Sequence, residues 1–404
     1  MQMAVDPEVR LLVPADDCPE PEISIVVPAL NEALTIGDFI DWCQQGLREA
    51  GVQGEILIID SSSDNTAEIA IGKGARVLRT PKRGLGRAYI DSKPFIRGKF
   101  LILGDCDCTY DFRELKPFVD AYRKGYEYVM GSRFKGRIDE GAMPPLHRYF
   151  GTPVTTWILN RIFRSKFSDI HCGMRGISRD AFMRLNLQSQ SWEYASEMVI
   201  KSVHLDLRTT EVPIHFLKDR EGRLSHHRRS GWFSPWHAGW INLKAMFTYG
   251  ADYFLYRPGW LLLLAGLACV LPLLGGPLDL GRVTLSLNWM LFGLTLATLG
   301  LQCVYTGVVA QVLYDPTGRV LSRWIQRYAY DRAVIGSGLL FVAGVALCVP
   351  FVLEYVQGNF RLDAGVTGAN YLAVGGLLAI VSGFMSFTFT LVLHALAASR
   401  RSIA

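Results

Sequence analysis

Two carboxylates, Asp105 and Asp107, stand two residues apart at the end of an apolar run that begins at Leu101. The run predicts a buried strand, so the pair lies where the chain leaves a sheet. Such a pair can place its oxygens on one divalent cation, and a cation at the carboxyl end of a strand can neutralise a diphosphate. The pattern indicates a metal-assisted reaction on a nucleotide-linked substrate, although an Asp-x-Asp also occurs by chance in many turns.

Two further apolar runs also end in acidic residues. Residues 23–28 lead into Asn31 and Glu32, and residues 56–59 end at Asp60. Because parallel strands bring their carboxyl ends to one edge of a sheet, the three runs together predict a single ligand crevice.

Three neighbours of the aspartate pair are assigned to structure. Cys106 and Cys108 alternate with the aspartates, so they point elsewhere if the segment is extended, as reduced structural thiols. Asp111 comes three residues before Glu114 and an apolar-periodic segment, which is the pattern of a capping box at a helix start.

Strands and helices are predicted to alternate along the first half of the chain. The strands fall near 23–28, 55–60, 75–79, 99–105, 126–131 and 208–214, and the helices near 35–50, 64–72, 84–96, 112–124, 147–163 and 194–204. This alternation predicts an α/β fold with a Rossmann-like, mostly parallel and covered sheet. Gly84 and Gly86 open one of the helices, and packing is a better explanation for them than phosphate binding.

These motifs resemble those of the inverting family 2 glycosyltransferases with a GT-A fold, over roughly residues 22–230. More narrowly, the chain is similar to the polyprenyl-phosphate (dolichol-phosphate) glycosyltransferases. The resemblance implies that Asp105 and Asp107 hold a Mg²⁺ or Mn²⁺ ion and stabilise the departing diphosphate. Several relatives carry Gln where this chain has Thr109. By position, the residues that would contact the nucleotide are Pro28, Leu30, Glu32 and Asp60.

The same resemblance assigns the phosphates of acceptor and donor to basic residues. Arg133 and Arg148 match arginines that bind the lipid phosphate, and a guanidinium fork suits phosphate geometry. Arg220 and Ser225 match a mobile loop that closes over the diphosphate. The alternatives are a pair of surface arginines, and a basic loop lying on anionic lipid.

Three acidic residues further along the chain are left with a structural or an open role. Asp169 is expected to pair with Arg175 and to hold the wall of the site. Glu193 and Glu197 lie four residues apart in a predicted helix, where they face either the donor sugar or solvent.

The second half of the chain predicts a membrane module. Half of all residues are hydrophobic, and the excess lies after residue 257. Four nearly charge-free segments can each span ~30 Å of hydrocarbon at about 1.5 Å per residue, and their Gly and Ala residues permit close helix packing. The segments are 258–274, 285–313, 334–353 and 371–397.

The predicted organisation has four parts: a polar segment (1–21), a GT-A domain (22–230), interfacial juxtamembrane helices (231–257) and a four-helix transmembrane domain (258–404). The juxtamembrane part is marked by indoles every four residues, at Trp232, Trp236 and Trp240. Residues 1–21 are polar and acidic, so they are not expected to act as a signal peptide. Basic residues cluster in the loop after the second span and at the carboxyl terminus, which predicts a cytoplasmic catalytic domain and cytoplasmic termini.

The sequence thus predicts a metal-dependent glycosyltransferase that moves a hexose from a UDP- or GDP-linked sugar to a polyprenyl phosphate. The alternatives are a processive polysaccharide synthase and a non-catalytic membrane scaffold with a degenerate transferase domain. A net charge of +5 gives no case for nucleic acid, and homo-oligomerisation stays open.

Overall fold

The computed structural model describes residues 6–220, 240, 243–244, 246–315, 318–361 and 365–401. The chain separates into two compact units, with the boundary between Thr248 and Tyr249.

The first unit is built on an eight-stranded sheet with the order β1-β4-β3-β2-β5-β7-β6-β8. Its strands are β1 (Arg10–Leu12), β2 (Ile23–Ala29), β3 (Gly54–Asp60), β4 (Arg76–Arg79), β5 (Phe100–Leu103), β6 (Tyr128–Ile138), β7 (Arg175–Ser178) and β8 (Thr209–Phe216). Its helices are α1 (Ile36–Ala50), α2 (Thr66–Gly72), α3 (Leu85–Ser92), α4 (Lys116–Arg123), α5 (Thr152–Phe163), α6 (Arg179–Leu185) and α7 (Tyr194–His204).

The centre of this sheet is buried on both faces, which explains its continuous apolar runs. In β2, Ile23, Ile25 and Val27 are fully buried. In α1, Phe39, Ile40 and Cys43 form a buried stripe at helical spacing. The predicted α/β fold with a mostly parallel sheet is confirmed.

Strands β2, β3 and β5 are parallel neighbours, so their carboxyl ends meet at one edge of the sheet, as predicted. Strand β7 was not predicted. It pairs antiparallel with both β5 and β6, which makes the sheet mixed. Because β7 contains only four residues and follows a polar segment, its sequence carries little strand signal.

The predicted capping box at Asp111 is wrong. Helix α4 begins at Lys116 with Pro117 in its first turn, and its N-cap position is Leu115. The carboxylate of Asp111 instead accepts hydrogen bonds from the backbone and guanidinium of Arg113, at 2.6–3.1 Å.

The second unit is helical. Its helices are α8 (Arg257–Val270), α9 (Leu287–Tyr314), α10 (Arg319–Arg327), α11 (Tyr330–Gln357) and α12 (Gly368–Arg401), with a short hairpin, β9 (Leu278–Asp279) and β10 (Thr284–Leu285), between α8 and α9. Among the described residues, four stretches are long and apolar enough to cross a membrane, namely Tyr253–Leu273, Leu287–Tyr314, Tyr330–Gln357 and Gly368–Ser399.

Glycines let the helices of this unit approach closely. A Cβ at Gly266 would lie 2.3 Å from the backbone nitrogen of Ala297, and one at Gly300 would lie 2.2 Å from that of Leu263. Helices α11 and α12 meet in the same way where Gly344 faces Gly376. Small residues at helix contacts are typical of membrane bundles, where van der Waals packing drives association.

Candidate active site

Two loops at the carboxyl edge of the sheet are joined by hydrogen bonds. Asn31, in a left-handed conformation with φ of 57°, donates its backbone N–H to Ser62 Oγ at 2.7 Å. Its side-chain oxygen accepts from the backbone N–H of Ser63 at 2.9 Å, and Glu32 N donates to Thr66 Oγ1 at 3.0 Å. These bonds fix the loop after β2 against the loop after β3, so this wall of the crevice is already formed.

The acids of this wall are held by other protein groups. Asp60 is fully buried, with Oδ2 at 2.7 Å from Arg79 Nη1 and Oδ1 accepting from Ser62 N at 3.2 Å. Glu32 is also buried, whereas the adjacent Pro28 and Leu30 are half-buried. The expected contacts of Pro28, Leu30, Glu32 and Asp60 with nucleotide stay predictions.

The Asp-x-Asp follows β5 at the same edge. Asp105 and Asp107 are half-buried, whereas Cys106 and Cys108 between and after them are buried. Asp107 Oδ1 accepts from Thr109 N at 3.0 Å and from Thr109 Oγ1 at 2.5 Å. Thr109 therefore orients the Asp107 carboxylate. The two thiols are buried, as expected, but the segment is bent and not extended, and Cys108 has a left-handed φ of 59°.

Gly173 makes room for the first aspartate. A Cβ at this position would lie 2.7 Å from Asp105 Oδ2 and about 3 Å from the ring and hydroxyl of Tyr110. The Gly173 N–H donates to that hydroxyl at 2.8 Å. Any side chain here would fill the space at the carboxylate. The sequence analysis missed Gly173, although a glycine inside the Asp169–Arg175 motif is a signal for close approach.

The donor set of this site fits a divalent cation. The two half-buried aspartates offer carboxylate oxygens, the ligands that Mg²⁺ and Mn²⁺ prefer. Buried phenols surround Asp105, and burial raises the pKa of Tyr89 and Tyr110 well above the ordinary value and that of Tyr194 to about 12. The phenols thus stay neutral at physiological pH.

Asp169 pairs with Arg133, so the predicted pairing with Arg175 is wrong. Arg133 Nε lies 2.7 Å from Asp169 Oδ2, and Nη2 lies 2.8 Å from Oδ1, while the Arg133 backbone N–H also donates to Oδ2. Asp169 is fully buried, and the Arg133 side chain is 10% exposed. The fork of Arg133 is therefore engaged by a carboxylate within the protein.

Arg175 holds the intervening loop through carbonyl groups. It is buried, and it donates to the carbonyl oxygens of Ile170, Cys172 and Ala195 at 2.6–3.0 Å. This loop carries Gly173, so Arg175 supports the wall beside the Asp-x-Asp. Arg175 thus supports the wall of the site, the role predicted for it, but its partners are these carbonyl groups and not Asp169.

Glu197 is a buried structural residue and does not face solvent. It is fully buried and accepts from the backbone N–H groups of Gln188 and Ser189 at 2.9 Å, while Lys201 Nζ lies 2.5 Å away. The loop that Glu197 holds packs on the glycine pair at the start of α3: a Cβ at Gly84 would lie 2.3 Å from the carbonyl oxygen of Gln190. The preference for packing over phosphate binding at this pair is supported. Glu193 is half-exposed.

The remaining predicted site residues are basic or polar. Arg148 is half-buried, with its guanidinium carbon 5.6 Å from the ring centre of Tyr149. Arg220 is exposed and lies 2.5 Å from Asp38 in the first turn of α1. Ser225, Trp232 and Trp236 lie outside the described residues, so the predictions for the mobile loop and the indole row stand as made.

Comparisons with known proteins match both units. Residues 24–185 match the family model for glycosyl transferase family 2, and residues 309–397 match that for the C-terminal transmembrane region of family 2 glycosyltransferases. The second match and the four apolar helices identify a membrane protein.

Several curated relatives come from Haloferax volcanii. The low-salt glycan biosynthesis hexosyltransferase Agl6 is 33% identical, covering 87% of this chain and 84% of the relative. A dolichyl-phosphate hexose transferase is 28% identical, covering 50% of this chain and 85% of the relative. A crystal structure of glucosyl-3-phosphoglycerate synthase from Mycobacterium tuberculosis is 19% identical, with a TM-score of 0.43. The match covers 57% of this chain and 80% of the synthase chain. Because Agl6 is 33% identical and the match covers 84% of its length, the chain belongs to glycosyl transferase family 2 and is a glycosyltransferase.

Proposed function

We propose that this enzyme transfers a hexose from a nucleoside diphosphate sugar to a polyprenyl phosphate, with inversion at the anomeric carbon and dependence on a divalent metal. The observation that carries the proposal is the half-buried Asp105–Asp107 pair, which lies at the same sheet edge as the loops after β2 and β3. The names of two relatives, a hexosyltransferase and a dolichyl-phosphate hexose transferase, support the sugar and lipid classes.

Asp105 and Asp107 would hold the Mg²⁺ or Mn²⁺ ion. When bound, such an ion supplies charge that stabilises a departing diphosphate. Thr109 fixes the rotamer of Asp107 through two hydrogen bonds, and Gly173 keeps the space beside Asp105 open. These residues preorganise the site, which avoids a reorganisation cost during the reaction.

The acceptor chemistry explains why no general base is needed. A phosphate monoester has a second pKa of ~6, so at neutral pH it is largely a dianion and already a nucleophile. Glu197, one of the two acids in α7 and before it, is buried and occupied by two N–H groups and Lys201. The acceptor phosphate must instead be held by positively charged side chains, because the donor that it approaches is also negatively charged. We assign that role to Arg148 directly, with Arg133 shaping the pocket and Arg220 and Ser225 closing on the donor.

Arg148→Ala is therefore expected to reduce transfer at least about tenfold, because a charge-assisted hydrogen bond contributes about 1.5–3 kcal/mol. Binding of the nucleotide donor, measured by calorimetry, should be unchanged. Arg184→Ala removes an exposed arginine that pairs with Glu127, and this matched control should keep full activity.

Glu193→Gln should also keep substantial activity. A Glu193→Gln enzyme that binds both substrates normally yet transfers no sugar would show that a carboxylate base is at work. The phosphate-acceptor proposal would then lose its chemical support.

The decisive experiment incubates membranes containing the full chain with polyprenyl phosphate and a panel of labelled UDP- and GDP-sugars. A lipid carrying one sugar is the expected product. A growing polymer would instead indicate a processive synthase, and no product with any sugar would favour a non-catalytic scaffold.

We also propose that the catalytic unit and both termini face the cytoplasm. Helix α10, between the second and third spans, carries Arg319, Arg323 and Arg327, whereas the hairpin region between the first two spans carries only Arg282. Basic residues are retained on the cytoplasmic side of the membrane.

An impermeant thiol reagent applied from outside should label a cysteine introduced between Gly276 and Val283. It should not label Arg323→Cys until the membrane is permeabilised. The unmodified chain, with its eight native cysteines, gives the background. The reverse labelling pattern would place the catalytic unit outside, away from cytoplasmic nucleotide sugars.

A further inference from the structure

One side of α5 and the turn before it is apolar and exposed. Leu146 is 57% exposed, Phe150 62% and Trp157 67%, with Tyr149 and Val154 beside them. Phe150, Val154 and Trp157 follow the i, i+4, i+7 spacing that places side chains on one face of a helix. Clusters of exposed aromatic side chains are uncommon on soluble surfaces and mark contact sites.

The opposite side of α5 is firmly packed, so this exposure is not a frayed helix. Thr156, Leu159 and Phe163 are buried. Thr155 Oγ1 lies 2.8 Å from His171 Nε2, and Asn160 donates to the carbonyl oxygen of Phe167 at 2.7 Å. The protein therefore presents the aromatic face in a defined position.

The segment that carries this face has formal charges of one sign, while two acids from other segments, Asp206 and Glu211, line a pocket with Arg164 and Lys166 beyond the end of the helix. Residues 141–168 contain no Asp or Glu, but they contain Arg148, Arg161, Arg164 and Lys166. Arg161 continues the exposed stripe one turn beyond Trp157, and Arg164 and Lys166 are exposed just past the helix. Arg148 lies against Tyr149, with its apolar stem and charged end beside the aromatic cluster. A basic rim around an apolar face is complementary to an anionic lipid surface.

We propose that this face of residues 146–161, here called the α5 face, lies in the headgroup region of an anionic bilayer. It gives the catalytic unit its own membrane contact, in addition to the four spans of the second unit. Trp and Tyr favour the membrane interface because their rings have an apolar body and a polar edge. A second copy of the chain is a poorer occupant, because a two-fold contact through this face would bring like charges together.

The test uses the full chain in nanodiscs of phosphatidylcholine, with or without phosphatidylglycerol, and a phospholipid that carries a photoreactive group near its headgroup. Trypsin can release residues 149–161 as one peptide, because cleavage follows Arg148 and Arg161. We expect lipid adducts on this peptide, and several-fold more of them when phosphatidylglycerol is present. Residues 185–201 form the control peptide, since they contain Trp192, which is 49% exposed in the same unit, and this peptide should carry few adducts.

Trp157→Glu, Phe150→Glu and Arg161→Glu should each lower the adduct yield on the α5 peptide several-fold; because Arg161→Glu removes a cleavage site, its α5 peptide runs from 149 to 164. Val13→Glu changes an exposed apolar residue elsewhere in the unit and should leave the yield unchanged. Equal labelling of both peptides, or no dependence on phosphatidylglycerol, would each overturn the proposal. Because the readout is lipid labelling and not sugar transfer, its result is independent of whether a polyprenyl phosphate is the acceptor.

Discussion

Replacing Asp107 with Asn should lower the rate of sugar transfer by about 100-fold or more while the protein still folds and inserts. The change removes one charged ligand from the proposed cation site, and stabilisation of a leaving group by a bound cation contributes several kcal/mol. Asn keeps the side-chain oxygen that accepts from Thr109 N and Oγ1, so the local turn should persist. Asp105→Asn should act in the same direction. The measurement is the initial rate of glycolipid formation at a series of Mg²⁺ and Mn²⁺ concentrations.

Asp120→Asn is the matched control, since it makes the same chemical change at an exposed position on α4 that pairs with Lys116. It should leave both the rate and the metal dependence unchanged. If wild type and both aspartate variants worked equally well in a strong chelator, metal dependence would have to be abandoned.

Removing Arg133 should have the largest effect on stability. In Arg133→Met, the fully buried carboxylate of Asp169 loses a bidentate partner, and breaking a buried ion pair in this way costs about 3–5 kcal/mol. The double variant Arg133→Met/Asp169→Leu removes both charges and should recover much of that loss. Thermal unfolding of the full chain in detergent measures the three proteins. Equal destabilisation in the single and the double variant would contradict the interpretation of Arg133 as a residue held by Asp169.

The same pair predicts an acid-sensitive contribution to stability. Burial alone raises the pKa of Asp169, but the Arg133 guanidinium outweighs burial and leaves that pKa below its ordinary value. A carboxyl with a lowered pKa stabilises the fold above its unfolded value of ~3.9, and this stabilisation is lost as the pH falls through the folded pKa. The wild type should therefore lose stability below about pH 4 more steeply than the double variant.

Sequence patterns predicted those features of the fold that depend on residues close together in the chain. The continuous apolar runs of β2, β3 and β5 predicted buried parallel strands, and the acids after each run predicted the shared edge. The burial of Cys106 and Cys108 also agrees with the prediction, although it comes from a bent segment and not from the alternation of an extended strand. The predicted membrane spans overlap the four long apolar helices, because twenty apolar residues in succession have few other uses in a protein.

Pairings between residues far apart in the sequence could not be predicted. Arg133 and Asp169 are 36 positions apart, and only the antiparallel insertion of β7 between β5 and β6 brings their segments together. With β7 unpredicted, a partner for Asp169 was sought within the segment that runs from Asp169 to Arg175, and Arg175 was chosen wrongly. Glu197 is a different case. Lys201 follows it by four residues in the predicted helix, and this spacing is a signal for an ion pair that could have indicated a structural role.

The alternation of thiols and carboxylates has a consequence for which metals the enzyme can use. Cys106 Sγ donates to the carbonyl oxygen of Pro28 and Cys108 Sγ to that of Thr35, both on the buried side of the segment. Zinc, cadmium and copper(I) are thiophilic and would gain most from sulfur, yet the sulfurs of Cys106 and Cys108 are turned into the core. At the proposed site, a cation would therefore meet the two carboxylates and neither of these thiols. The burial of the thiols would thus favour hard cations such as Mg²⁺ over soft ones, even though the segment contains two cysteines.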